Sequence, residues 1–384
     1  MRSWIRAATV VAALCVGAAA LCVVAPAPAA AQPVPVPIAP ERPVFQIRQG
    51  ELFGLIDATG RVIVPAEFPQ PPVAGTPLIL VRKGARSAYY DYDGTMAIPP
   101  QEALDQPFVQ GLAAARLKAG DGRMRWGYVD PAGRPVIAAA FDTAEPFSDG
   151  LATVGLGDAW GTVRYGCIDR TGRLVVPARF DQVFPASGGV VRVKDGGRFR
   201  LFTREGREIT PSGVDFIGVQ SEGRVRVWAG RRQGFVDVQG RMVVEPRYDL
   251  ASEFRDGLSR VAIGSRFGYV DRDGREVIPP RYESAEDFSD GLALVRSEGR
   301  AMYVDRTGAV VLQPDADRVY PFSEGLAVVR IGRQYGYIDK TGALAIPAQF
   351  SFARAFSNGL AGASIGRTSG WIDRSGRFVW QSAP

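Results

Sequence analysis

The sequence predicts an all-β fold, a tandem array of about ten units of about 34 residues, each made of short antiparallel strands. Three observations predict it. A Gly-aromatic-Val/Ile-Asp-x-x-Gly motif recurs along the chain, with its Asp position at 57, 91, 130, 169, 203 (Thr203), 237, 271, 305, 339 and 373. Successive copies lie 34 residues apart, except for 39-residue gaps on either side of Asp130. A glycine follows three residues after every copy, from Gly60 to Gly376. Twenty residues after the Asp position lies a second anchor, seen in Phe254-Arg-Asp-Gly-Leu, Phe288-Ser-Asp-Gly-Leu and Phe322-Ser-Glu-Gly-Leu.

Each element has a physical reading. A 34-residue period also belongs to helix–turn–helix arrays, but every unit here carries two or three glycines and usually a proline. That punctuation leaves no stretch long enough for a stable helix. Apolar residues alternate instead, as in Leu292 and Leu294 against Ala293 and Val295, which is strand periodicity. Asp accepts hydrogen bonds from backbone N–H groups two residues on, and Gly supplies a positive φ. Asp271-Arg272-Asp273-Gly274 is therefore a tight turn between two strands. Pro279 ends the next strand, because proline cannot donate to a ladder. The expectation is three strands per unit: after Gly-Leu, ending at Tyr-Val-Asp, and through Val-Ile-Pro. Ten units exceed the usual propeller, and three strands fall short of a four-stranded blade. An open superhelical, solenoid-like stack is thus preferred, with a closed ring or propeller-like arrangement as the alternative because closure protects edge strands.

These residues resemble the bacterial WG-repeat (KWG) family. The fullest copy is Trp126-Gly127-Tyr128-Val129-Asp130-x-x-Gly133, followed by Phe147-Ser148-Asp149-Gly150-Leu151. The likeness runs over residues 43–384. Only Trp126 is tryptophan at the first position; Phe53, Tyr165, Phe199, Phe267 and Tyr335 replace it, and Gln233, Ala301 and Ser369 lose the ring. The resemblance implies a β-repeat array with an interaction role and no catalytic residues.

The remainder of the chain reads as export machinery. Arg2 and Arg6 precede an apolar stretch and Ala29-Ala30-Ala31, the pattern of a signal peptide over residues 1–31. Residues 32–42 read as a Pro-rich, extended linker, and 43–384 as the repeat domain. Export to the periplasm follows, with secretion or an uncleaved membrane anchor as alternatives. If the signal is cleaved, no transmembrane span is expected. Cleavage would also leave only Cys167 of the 3 cysteines, so no internal disulfide. With 46 Lys and Arg against 40 Asp and Glu, and Arg2 and Arg6 gone with the leader, the net charge is +4. That balance does not predict nucleic-acid binding.

The chain has no histidine. This excludes His-activated nucleophiles and His-ligated metals. The recurring Asp256, Asp290 and Glu324 have the residue type of a glycosidase pair, but Asn358 and Gln110 replace them in other copies and they precede Gly-Leu. They read as turn residues. Asp271-x-Asp273-Gly274 and Asp91-x-Asp93-Gly94 resemble the start of a calcium loop. The second Asp is missing from the other eight copies and no bidentate Glu follows at the right distance, so they read as turns. No catalytic residue, metal or cofactor is expected.

The aromatics two and four positions before the Asp read first as shared core, and otherwise as a ladder for glycan rings. The two 39-residue copies break the symmetry, with longer loops around 117–125 and 155–163. Arg123, Arg125, Trp126, Asp158 and Trp160 are the candidate binding residues, since insertions at one register emerge on one face. The expected function is a non-catalytic scaffold binding a protein partner in the cell envelope. The alternative is a carbohydrate- or peptidoglycan-binding module.

Overall fold

A computed structural model describes residues 42–382, apart from 103 and 159; the export segment and all but the last residue of the linker lie outside the described residues. The described chain forms ten antiparallel meanders arranged as a ten-bladed β-propeller. The seventh blade is typical, with strands Leu250–Ala251, Leu258–Ile263, Arg266–Asp271 and Glu276–Tyr282 paired in chain order. Six described sheets have four strands and four have three. The expectation of three strands per unit is corrected by the short first strand, often two residues long and too brief to leave a periodic trace.

The Asp-x-x-Gly turns form as expected. Asp271 Oδ1 accepts from the N–H groups of Asp273 and Arg275 at 2.9 Å, and Gly274 has φ +84°. The glycine of the Trp-Gly position has a different cause. A Cβ at Gly268 would lie 2.3 Å from the Ile278 carbonyl oxygen and 2.6 Å from Pro280 N, because the fourth strand shifts register and folds over it. Where that glycine is Arg200 or Met302, the fourth strand is missing or cut to Val310–Leu312.

The core lies between blades, and the two sequence anchors build it together. Tyr269 is fully buried, its ring 4.7 Å from Phe288 of the next blade, and its hydroxyl donates to the Glu286 carbonyl at 2.6 Å. The same lock joins Tyr128 to Phe147 and Glu145, and Tyr337 to Phe356 and Arg354. One blade cannot bury its own apolar face, so each borrows its neighbour's. Burial answers the question of the ladder: Tyr128, Tyr269 and Tyr337 are core, and Trp126 and Tyr335 are partly buried against it.

Of the two arrangements expected, the closed ring is the one adopted rather than the preferred open stack. Phe45 of the first blade packs 5.0 Å from Trp371 of the last, whose indole N–H donates to the Gln46 carbonyl at 2.8 Å. Phe45, Ile47, Ile56 and Leu360 form one buried cluster across this seam. An open stack would leave these apolar edges in water; closure removes them at the cost of no strand exchange.

Candidate functional site

In a four-stranded meander the first and third hairpins fall on one face of the ring. The second hairpin and the links between blades fall on the other. The first face is consumed by its own bonding. Asp256, at φ +50°, accepts from Gly291 N–H of the next blade at 2.8 Å, Glu222 accepts from Gly257 at 2.8 Å, and Glu324 from Gly359 at 2.9 Å. Asp290 does the same with Gly325. Basic residues next to the turn Asp complete this rim: Arg306 donates to the Asp256 carbonyl, and Lys340 to that of Asp290 at 2.6 Å. The recurring carboxylates are thus turn residues, as expected, and also links between blades.

The second face carries the departures from symmetry. The extra residues of the third and fourth blades lengthen their central hairpins, Ala113–Lys118 with Met124–Val129 and Leu151–Gly157 with Val163–Asp169. The expected longer loops are present: residues 119–123 and 158–162 form five-residue tips, with strand residues on either side of them. Asp158 accepts from Trp160 N at 2.8 Å and Thr162 N at 2.9 Å, so its carboxylate shapes the tip. Trp160 is 91% exposed at that tip, far more than any other large apolar side chain described.

The other candidates divide. Arg123 is exposed at the neighbouring tip, where Asp121 accepts from its N–H at 3.0 Å. Arg125 is half-buried, with its guanidinium 3.4 Å from Asp142 and 4.0 Å from Asp121, so its charge is balanced within the blade. Trp126 packs inward. The structure therefore brings Trp160 and Arg123 to adjacent hairpins on one face, and assigns Arg125 and Trp126 to holding the third blade.

The same face opens a cavity of about 500 Å³ at the seam, which motif reasoning missed. It is lined by Trp371, Trp380, Phe352, Arg354 and the hydroxyl-bearing Ser364 and Ser369, among others. Ser369 stands where other blades carry an aromatic ring, so the lost ring was the signal. No group of three or more acidic or Cys side chains able to hold a metal occurs among the described residues. Nor is any described helix long and apolar enough to cross a membrane.

The sequence profile of the WG containing repeat matches residues 126–160, 165–199, 234–266, 267–300, 302–333 and 335–367, more than half of the chain. The protein belongs to the WG-repeat family. In this WG repeat the Trp-Gly glycine lies beneath the fourth strand and its aromatic neighbour faces that strand's last ring, as Trp126 faces Phe141. No curated protein sequence matches the chain. Among solved structures, a eukaryotic initiation factor is 10% identical, with 89% of this chain and 96% of that one covered and a TM-score of 0.49. The extracellular domain of a putative one-component system from B. thetaiotaomicron is 9% identical, with 79% and 57% covered and a TM-score of 0.30. The tricorn protease is 13% identical, with 85% and 46% covered and a TM-score of 0.25.

Proposed function

We propose that this WG-repeat propeller is an exported, non-catalytic scaffold of the cell envelope that binds a protein partner through the face of its central hairpins. One observation carries the reading. The repeat aromatics turn inward and the recurring carboxylates are spent between blades, whereas Trp160 stands free on a lengthened hairpin. A large indole held in water is unfavourable unless a partner covers it, and tryptophan is among the commonest anchors of protein interfaces. Arg123 on the neighbouring tip adds a cation at the rim of such a contact. The test is affinity purification of the native protein from its own envelope, beside Trp160→Ala. The variant is expected to fold normally and lose the co-purifying partner; undiminished recovery would overturn the reading.

A second reading, a glycan-binding module, is favoured by the seam cavity rather than by the buried ladder. Trp371 and Trp380 beside serine hydroxyls and Arg354 suit a sugar, whose apolar ring face stacks on indole while its hydroxyls bond to polar edges. Sedimentation with purified peptidoglycan separates the two readings. Loss on Trp380→Ala with no effect of Trp160→Ala would favour the glycan.

A further inference from the structure

The eighth blade departs from the repeat at four linked points. Across the third and fourth strands, a residue of the Trp-Gly position faces one fifteen residues on: Phe267 faces Tyr282, Tyr335 faces Phe350, Tyr165 faces Phe180. The eighth blade has alanine at both places, Ala301 and Ala316. It also has Met302 where the glycine belongs, and its fourth strand stops at Leu312. The cause is steric. A long side chain at this position, Met302 here and Arg200 in the fifth blade, occupies the space through which the fourth strand elsewhere folds back, whereas the small Ala88 still admits Met96–Gln101. The chain leaves the sheet early and Ala316 no longer caps Ala301.

What remains is a cavity of about 500 Å³ between the eighth and ninth blades, lined by both alanines. It opens on the same face as Trp160, because its walls include the Ser297–Arg300 hairpin and the link between the blades. Those walls are polar. Arg296, Arg300 and Arg318 border it, and none makes an ion pair among the described residues. Arg296 donates to the Gly299 carbonyl at 2.6 Å, and Arg318 lies 5.6 Å from the Tyr320 ring centre. The two acids in the wall are engaged: Asp317 accepts from Gly332 N–H at 2.6 Å, and Glu286 lies 3.8 Å from Arg260. Three guanidinium groups thus line the gap beside two carboxylates, Asp317 and Glu286, that are bonded elsewhere, which leaves cationic charge in excess.

We infer that this gap is a binding site for a small molecule bearing a carboxylate or phosphate group, held by Arg300 and Arg318. Guanidinium presents paired N–H donors in the spacing of two oxyanion oxygens, and such charge-assisted bonds are the strong ones. The site goes beyond the scaffold reading and does not depend on Trp160.

The test is calorimetric titration of the full chain at low ionic strength with inorganic phosphate and, separately, succinate, against chloride as control. Saturable binding of at least one probe is expected, and which one binds assigns the anion. Ala301→Tyr restores the ring that other blades carry and should weaken binding at least tenfold while leaving the fold intact. Gln233→Tyr, the corresponding change in the sixth blade, should leave it unchanged. If Ala301→Tyr does not fold, Arg318→Gln must show the tenfold loss alone. No saturable binding by wild type, or wild-type affinity in Arg318→Gln, would overturn the site. Neither result touches the scaffold reading, which rests on partner recovery with Trp160→Ala.

Discussion

The Tyr269 hydroxyl reaches across a blade boundary to the Glu286 carbonyl, 2.6 Å away, while its ring packs edge-on against Phe288. Two motifs that stand 19 residues apart in sequence are in this way one contact in space. The sixth blade carries Phe235 at the same place, packed 4.8 Å from Phe254 without a hydroxyl. The ring is therefore the essential part and the hydroxyl an addition. Tyr269→Phe should cost about 1 kcal/mol, the net value of one buried hydrogen bond. Tyr269→Ala should cost about 3–5 kcal/mol through lost burial and a cavity. Urea unfolding of both variants checks the ratio; equal losses would contradict it.

Acid should act through the turns. In Asp130 and Asp237 burial raises the carboxyl pKa, but hydrogen bonds from Arg134 and Arg241 and from turn N–H groups outweigh it, and the net shift is downward. A depressed folded-state pKa adds stability above the unfolded value and loses it as pH falls through the folded one. The loss should thus begin near the ordinary carboxyl value of about 4 and deepen below it. Asp130→Asn should be less stable at pH 7 and show a shallower acid limb. Melting temperatures from pH 7 to 2.5 decide this, and parallel limbs for the two proteins would count against it.

Cys167 offers a probe of the core. Burial pushes its thiol pKa up to about 12, against a smaller opposing effect of a bond to Thr153. The thiolate is the reactive form, so alkylation at pH 8 should be orders of magnitude slower in the folded protein than after unfolding. Iodoacetamide labelling mapped to Cys167 by mass spectrometry measures the two rates. Native labelling within tenfold of the unfolded rate would mean that the fourth and fifth blades do not close over it.

Much of this was legible because the chain repeats itself. Local chemistry recurs ten times, so Asp271 and Gly274 name their turn and Tyr269 its strand. The remainder depends on register and closure. Leu250–Ala251 is too short to print a period, so the first strand of the blade leaves no trace in the sequence. Asp256 meets Gly291 35 residues away, and only the ring geometry makes them partners. The losses at Ala301, Met302 and Ala316 can all be read in the sequence. Their meaning appears only once the positions of the first and last are known to face each other in other blades, as Phe267 faces Tyr282. Trp160 was singled out by its insertion, whereas Trp371 and Trp380 lacked any signal beyond the missing ring at Ser369.

Ring closure can be isolated by two glycines that share a backbone strain and differ in their neighbours. Gly60, at φ +88°, abuts the last blade, where a Cβ would lie 2.4 Å from the Val379 carbonyl oxygen. Gly264, at φ +57°, has open space around it. Alanine at either site pays about 1–2 kcal/mol for a left-handed backbone. Only Gly60→Ala must also push the first and last blades apart. Hydrogen exchange should therefore show lost protection in Val44–Gln49 and Thr368–Ile372 for Gly60→Ala, with the central blades unchanged. Gly264→Ala should affect its own hairpin alone. In an open stack Gly60 would have no neighbour to displace, and the two variants would each loosen only the turn they sit in.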